Sequence, residues 1–399
     1  MMTRRQAVLA GAAGVTGWAA ENKTDSSERV RLHRLPDGSL QPQVAVDERG
    51  MLHVVYYTGD AHHGSLFYVR SKDGGAVFSP ALPVNRPGSA IAAGTIRGAQ
   101  LALGKSGRVH VAWNGSDEAK SPGPVNPESG KHGAPMLYTR LNDAGKAFEP
   151  ERNLMHHSFG LDGGGSVAAD RSGNVYVAWH GIGDADAKVE GKTGEARRQF
   201  WLTKSEDEGH SFATEQKAWL QPTGACACCG MKIFADRQGT VSALYRSATE
   251  SVHRDIYMLA SQDRGRSFEG HLLHKWDINA CPMSSMDIAG NGRIVVGAWE
   301  TGGQVYWAHL DKGVPGNQPV AAPGEGKGRK HPRVAVNQNG ELLLVWTEGT
   351  GWQKGGSLAW QIYDAAGRPA MEAKRLPGIA TWSFAAVAAQ PDNNFSILY

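Results

Sequence analysis

Ser205-Glu-Asp207-Glu-Gly209-His-Ser-Phe212 recurs as Ser261-Gln-Asp263-Arg-Gly265-Arg-Ser-Phe268 and as Ser71-Lys-Asp73-Gly-Gly75-Ala-Val-Phe78. A looser copy is Leu141-Asn-Asp143-Ala-Gly145-Lys-Ala-Phe148. The pattern has a local physical logic. An Asp carboxylate can accept backbone N–H bonds across a tight turn. The Gly permits positive φ, and the Phe is a plug for the gap between sheets.

A second repeat lies between these turns. An alternating apolar strand runs into a Gly-containing turn and returns as a more aromatic strand. The copies begin at Gln43, Gln100, Ser166, Lys232, Ser285, Arg333 and Phe384. Most return strands end on an aromatic: Tyr56, Trp113, Trp179, Tyr245, Trp299 and Trp346. The alternation has period two, so these are strands. Their spacing, roughly 50–65 residues, is the span of a four-stranded propeller blade. The terminal Trp or Tyr can fill the wedge between neighbouring blades. The reading is an all-β chain, a β-propeller of seven four-stranded blades. The last hairpin ends at Tyr399 with no outer strands behind it, so Arg29–Leu35 is expected to supply an outer strand and close the ring.

Composition agrees. The chain has 399 residues, 41% hydrophobic, 51 Gly and 12 Trp, enough for one large repeat fold. Charged residues are 20% and the formal net charge is +3, with no polybasic run. Nucleic acid is therefore not an expected partner. The first twenty residues read as a signal peptide: basic Met1–Arg5, then an Ala/Gly-rich stretch from Ala7 to Ala20 with a small-x-small cleavage option at Gly17-Trp18-Ala19. It is too short for a membrane span, and the Arg4-Arg5 pair suggests the twin-arginine route. Residues 21–28 read as a disordered lead-in and 29–399 as the propeller. The expected location is periplasmic or extracellular. A closed ring is self-sufficient, so a monomer is expected.

The Ser-x-Asp-x-Gly-x-x-Phe turns resemble the Asp-boxes of sialidase-like propellers. The segment from Cys226-Ala-Cys228-Cys229 through Tyr245-Arg246-Ser247, Arg254-Asp255-Ile256-Tyr257 and Trp276 to Cys281-Pro282-Met283 resembles a subgroup of bacterial exported Asp-box proteins. Sialidases have six blades, so the resemblance sets six against the seven counted. It also places a site, because Asp-box enzymes use the face with the first-strand starts and second-strand ends, at the mouth of the central channel. A sialidase there would hold its substrate carboxylate with three arginines and use a Tyr nucleophile, its Glu partner and an Asp acid/base. By position the arginines would be Arg97, Arg246 and Arg333, the acid Asp162 or Asp60, and the partner Glu300 or Glu348. The family's Phe/Tyr-Arg-Ile-Pro element is absent, and Arg97 stands in Ile96-Arg97-Gly98. The insertions Gly115–Pro135 and Gly181–Arg198 are candidates for a rim or lid.

All four cysteines fall at that face, on two blades adjacent in the repeat register: Cys226, Cys228 and Cys229 open one blade and Cys281 the next. Two chemistries stay open. A disulfide from the first group to Cys281 would staple the blades, leaving two cysteines to pair or stay thiols. Alternatively the thiolates, with Met283, Met231 or His331, would suit copper as Cu(I), or zinc. The candidate metal ligands are Cys226, Cys228, Cys229, Cys281, Met283 and His331. No Cys-x-x-Cys-His occurs, so covalent haem is not indicated. Three functions compete: a sialidase-like hydrolase with a small-molecule or glycan ligand, a copper- or zinc-binding or redox propeller, and a non-catalytic binding propeller with disulfide-stapled blades.

Overall fold

The computed structural model describes residues 29–94, 96–183, 194–310, 316, 318–325 and 328–399. The signal peptide expected over 1–20 and the lead-in over 21–28 lie outside the described residues. No helix of the described chain is long and apolar enough to cross a membrane.

Seven small sheets form a ring, which decides for seven blades over six. Blades one to six span residues 40–83, 100–153, 166–217, 232–274, 287–321 and 329–379. Each is an antiparallel meander with its first strand innermost; in blade three the short strand Ser158–Phe159 also pairs with the end of Val175–Gly183. The seventh blade is built from both ends of the chain. Ala386–Ala389 pairs with Phe395–Leu398, and Val30–His33 adds to Phe395–Leu398 in parallel, Val30 opposite Phe395 and His33 opposite Leu398. The expected closing strand is therefore present. Backbone bonds from Leu35 N–H to the Tyr399 carbonyl and from Phe395 N–H to the Arg29 carbonyl, 2.9 Å each, extend the seam.

The turns behave as their residues dictate. In the box at Ser261, the Asp263 carboxylate accepts the Ser261 hydroxyl at 2.7 Å and the Ser267 N–H at 2.9 Å, while the Ser261 hydroxyl accepts the Gly265 N–H at 2.7 Å. Gly265 sits at φ +78. The Ser267 hydroxyl and N–H hold Asp263 well below the usual carboxylate range. The boxes at Ser71 and Ser205 repeat the bonds. The inner hairpin turns use a related device: Asp47, Asp170, Asp236, Asn291 and Asn337 each accept N–H bonds from two residues of their own turn.

The core lies in the wedges between blades. Trp113, Trp179, Trp299 and Trp346 are essentially fully buried, and each indole N–H finds an acceptor. Trp346 belongs to a cluster with Val296, Ala298, Val305 and Trp307 of the preceding blade. Blades are thus joined by packing, with side-chain hydrogen bonds such as Ile233 N–H to Ser166 and Val334 N–H to Asp287, 3.1 Å each, crossing between neighbouring sheets. Trp346→Ala should lower stability by about 3–5 kcal/mol, the usual cost of removing a buried large aromatic. Chemical denaturation checks this, and a loss below about 1 kcal/mol would show that the wedge does not join the blades.

Candidate functional site

The segment ahead of blade four forms a pinned loop. The Cys226 N–H donates to the Arg246 carbonyl at 2.9 Å, the Cys229 N–H to the Cys226 carbonyl at 3.3 Å, and the Gly230 N–H to the Ser284 carbonyl at 2.9 Å. The last bond ties the loop to the segment ahead of blade five, where Cys281 lies. Cys228 and Cys281 form a disulfide across 53 residues. Cys226 and Cys229 are buried free thiols. Cys226 Sγ lies 3.4 Å from Cys229 Sγ and 3.5 Å from Cys228 Sγ. The sulfurs of Cys226, Cys228 and Cys229 all lie within 4.8 Å of one another, the one such grouping of potential metal ligands found among the described residues. One inter-blade bridge forms, and the other two cysteines remain a thiol pair in contact.

Buried charge surrounds that pair. Cys226 donates to Cys229, and this bond, followed by burial, pushes the Cys226 thiol well up. Burial also opposes charge on Cys229, but the Cys226 hydrogen bond, the Arg246 guanidinium and the Ser284 N–H outweigh it and bring Cys229 down to about 7. The two thiols are thus pushed in opposite directions, Cys226 up and Cys229 down. Glu195, on the short helix Gly194–Arg197, accepts the Ala227 N–H at 3.3 Å and pairs with Arg254.

The arginines and carboxylates expected from the sequence stand in separate pairs. Arg246, fully buried, lies 3.3 Å from Glu300 Oε2, donates to the Arg254 carbonyl at 2.8 Å and stacks over Trp276 at 5.0 Å. Arg97 pairs with Asp162 and donates to its carbonyl at 2.5 Å. That pair holds a glycine run against the cysteine loop: a Cβ on Gly163 would stand 2.3 Å from the Ala227 carbonyl oxygen and 2.5 Å from that of Cys229. Arg333 lies over the Phe384 ring at 4.1 Å. His331 contacts the Ser285 hydroxyl at 3.2 Å through Nδ1, and burial, then Lys330 and Arg333, bring it down to about 3. Met283 has φ +46. Arg246 and Glu300 thus adjoin the sulfurs directly, and Arg97 and Asp162 through the glycine run. Sequence reading missed Glu195 and Ser284 as neighbours of the thiols. Glu195 falls inside the insertion marked as a rim, which is the signal available for it.

The channel differs from the expected funnel. The first strands of all seven blades line a cavity of about 1440 Å³ that reaches the inner turns, among them Asp47, Asp170, Asp236 and Asn337. Toward the cysteine face lies a small cavity of about 10 Å³, bounded by Ile96, Gly98, Gln100, Gly165, Gly230, Met231, Ser285, Arg333 and Phe384. Ile96, Met231 and Phe384, with Gln100, Ser285, Arg333 and close-packed glycines, form a plug between the large cavity and the cysteine loop.

No family model matches the sequence, and no curated protein matches it. Among solved structures the chain is similar to a Hadza microbial sialidase (15% identity, TM-score 0.50, 78% of this chain and 63% of that one). It is also similar to the Penicillium chrysogenum α-L-arabinanase in complex with arabinobiose (14%, 0.51, 88% and 99%). A third is the Trypanosoma rangeli sialidase in complex with the inhibitor DANA (12%, 0.51, 81% and 54%). The chain spans under two thirds of the length of both sialidases. The fold is that of the sialidase-like propellers, in seven blades.

The cysteine arrangement makes a direct prediction. Unfolded without reductant, the protein should titrate two thiols per chain, and four after reduction. None before reduction, or four, would contradict the pairing.

Proposed function

We propose that this chain is an exported propeller that binds a soft metal ion at its sulfur cluster, copper as Cu(I) in preference to zinc. The observation that carries this is the convergence of three cysteine sulfurs within 4.8 Å in a buried, pinned loop. Metal–thiolate bonds of roughly 2.3 Å at a tetrahedral angle would set sulfurs roughly 3.8 Å apart, near the 3.4 Å separation of the free thiols Cys226 and Cys229. Thiolates are soft donors that select Cu(I) or Zn. Cys226 and Cys229 would hold the ion. Cys228 and Cys281 would become donors on reduction of their bridge, and Met283 and His331 are the proposed neighbouring donors. A disulfide persists outside the reducing cytoplasm, which supports export to the periplasm or beyond.

Anaerobic titration of the exported protein with Cu(I), and separately with Zn(II), tests this. The expected result is tight binding of about one Cu(I) per chain, lost in Cys226→Ser/Cys229→Ser and accompanied by loss of both free thiols. Uptake no greater than that of the double variant would sink the reading.

A second reading is a carbohydrate-active hydrolase acting on a glycan at the same face. The side chain of Asp162, 41% exposed beside Arg97, favours it, as does similarity to structures named as sialidases and an arabinanase. A panel of sialosides and arabino-oligosaccharides checks it. Turnover that falls about a hundredfold or more in Asp162→Asn is expected, the size of one acid–base contribution. Turnover equal in wild type and variant, or none at all, would count against it.

A further inference from the structure

The inner strands carry a ring of side chains at one level of the channel. Gln43, Gln100, Ser166, Lys232, Asp287 and Arg333 occupy the same register, opposite Val55, Ala112, Ala178, Leu244, Ala298 and Val345 of their second strands. The ring lies where the large cavity ends against the plug, with Arg333 lining both spaces.

Its charges do not balance. Lys232 and Arg333 are cationic, and Asp287 is the one carboxylate of the ring. The Lys232 ammonium lies 3.4 Å from Asp287 Oδ1 and 3.4 Å from Gln100 Oε1, both long contacts. Asp287 Oδ2 already accepts the Val334 N–H at 3.1 Å. Arg333 is 5% exposed and donates no hydrogen bond among the described residues; its guanidinium rests on Phe384. The buried Gln43 Nε2 also lacks a partner. A buried excess charge with unused donors is costly unless something pairs with it.

We propose that this ring is the floor of an anion-binding site. It takes one small oxyanion or carboxylate, held by the planar Arg333 fork and the Lys232 ammonium, with Gln43 as an added donor. The anion enters from the inner-turn face. The site draws no donor from the four cysteines, so its test uses the protein without added metal. The inner-turn entrance bears both signs, with Arg171, Arg237 and Arg293 beside Asp47, Glu48, Asp170 and Asp236 and Arg171 paired with Glu48, so cationic groups stand on the anion's path among the carboxylates.

Isothermal titration of the intact protein with inorganic phosphate, sulfate and acetate, at ionic strength held constant with chloride, tests the proposal. One saturable site per chain is expected for at least one of these probes. Tighter acetate would assign a carboxylate, and tighter phosphate or sulfate a tetrahedral oxyanion. Arg333→Gln and Lys232→Gln should each weaken binding by about tenfold or more, the loss of one charge-assisted contact. Asp287→Asn keeps an acceptor for the Val334 N–H and removes the competing charge, so it should tighten binding by a similar factor. The opposite-signed response of Asp287→Asn keeps the test decisive if an arginine or lysine variant fails to fold. Heats that follow ionic strength alone, no saturable site in the wild type, or weaker binding by Asp287→Asn would overturn the proposal.

Discussion

The pairing of Val30–His33 with Phe395–Leu398 closes the ring, and the rest of the structure depends on it. Six blades are contiguous meanders, but the seventh has only one hairpin of its own at the end of the chain. Without the N-terminal strand, Phe395–Leu398 would present an unpaired edge, and closure is how such folds remove edges. Closure also seats blade seven against blade one, where Leu52, Val54 and Tyr56 pack with Ala386, Ala388 and Leu398. The wedge packing that joins the blades is complete only when both faces of each blade are covered.

That ring explains the sulfur site. Cys226 and Cys281 are far apart in sequence, but each precedes the first strand of its blade, and adjacent blades bring those segments together. The Gly230 to Ser284 backbone bond fixes their distance, and the glycine run at Gly163 lets a third blade close over the loop. Two thiols, a disulfide and buried arginine–carboxylate pairs then share one water-poor space. In such surroundings hydrogen bonds and charges act strongly, which is why one thiol is eased toward ionisation and its partner is held protonated.

Much of the architecture was legible in the residues. Asp73, Asp207 and Asp263 marked outer turns because their bonds are local, and period-two runs ending in Trp marked the inner hairpins. The closing strand followed from a shortage of strands behind Tyr399. The adjacency of Cys228 and Cys281 followed from repeat register. What was not legible depends on distances between blades. Which of three neighbouring cysteines meets Cys281 is a matter of ångströms within one loop. Arg97, Arg246 and Arg333 share a face by register, yet Asp162, Glu300 and Phe384 respectively engage them. The closed end of the channel arises from Ile96, Met231 and close glycine contacts, which no spacing pattern encodes.

The closure itself is the claim to test. Native-state hydrogen exchange, read amide by amide across the seam, does so most directly. If the parallel pairing closes a cooperative ring, the amides that donate across the seam, Phe395, Tyr399 and Leu35 among them, exchange only with global unfolding, as slowly as the central strand Val241–Arg246. Fast exchange at the seam beside full protection in Val241–Arg246 would contradict the account and leave an open array of six blades with a frayed seventh.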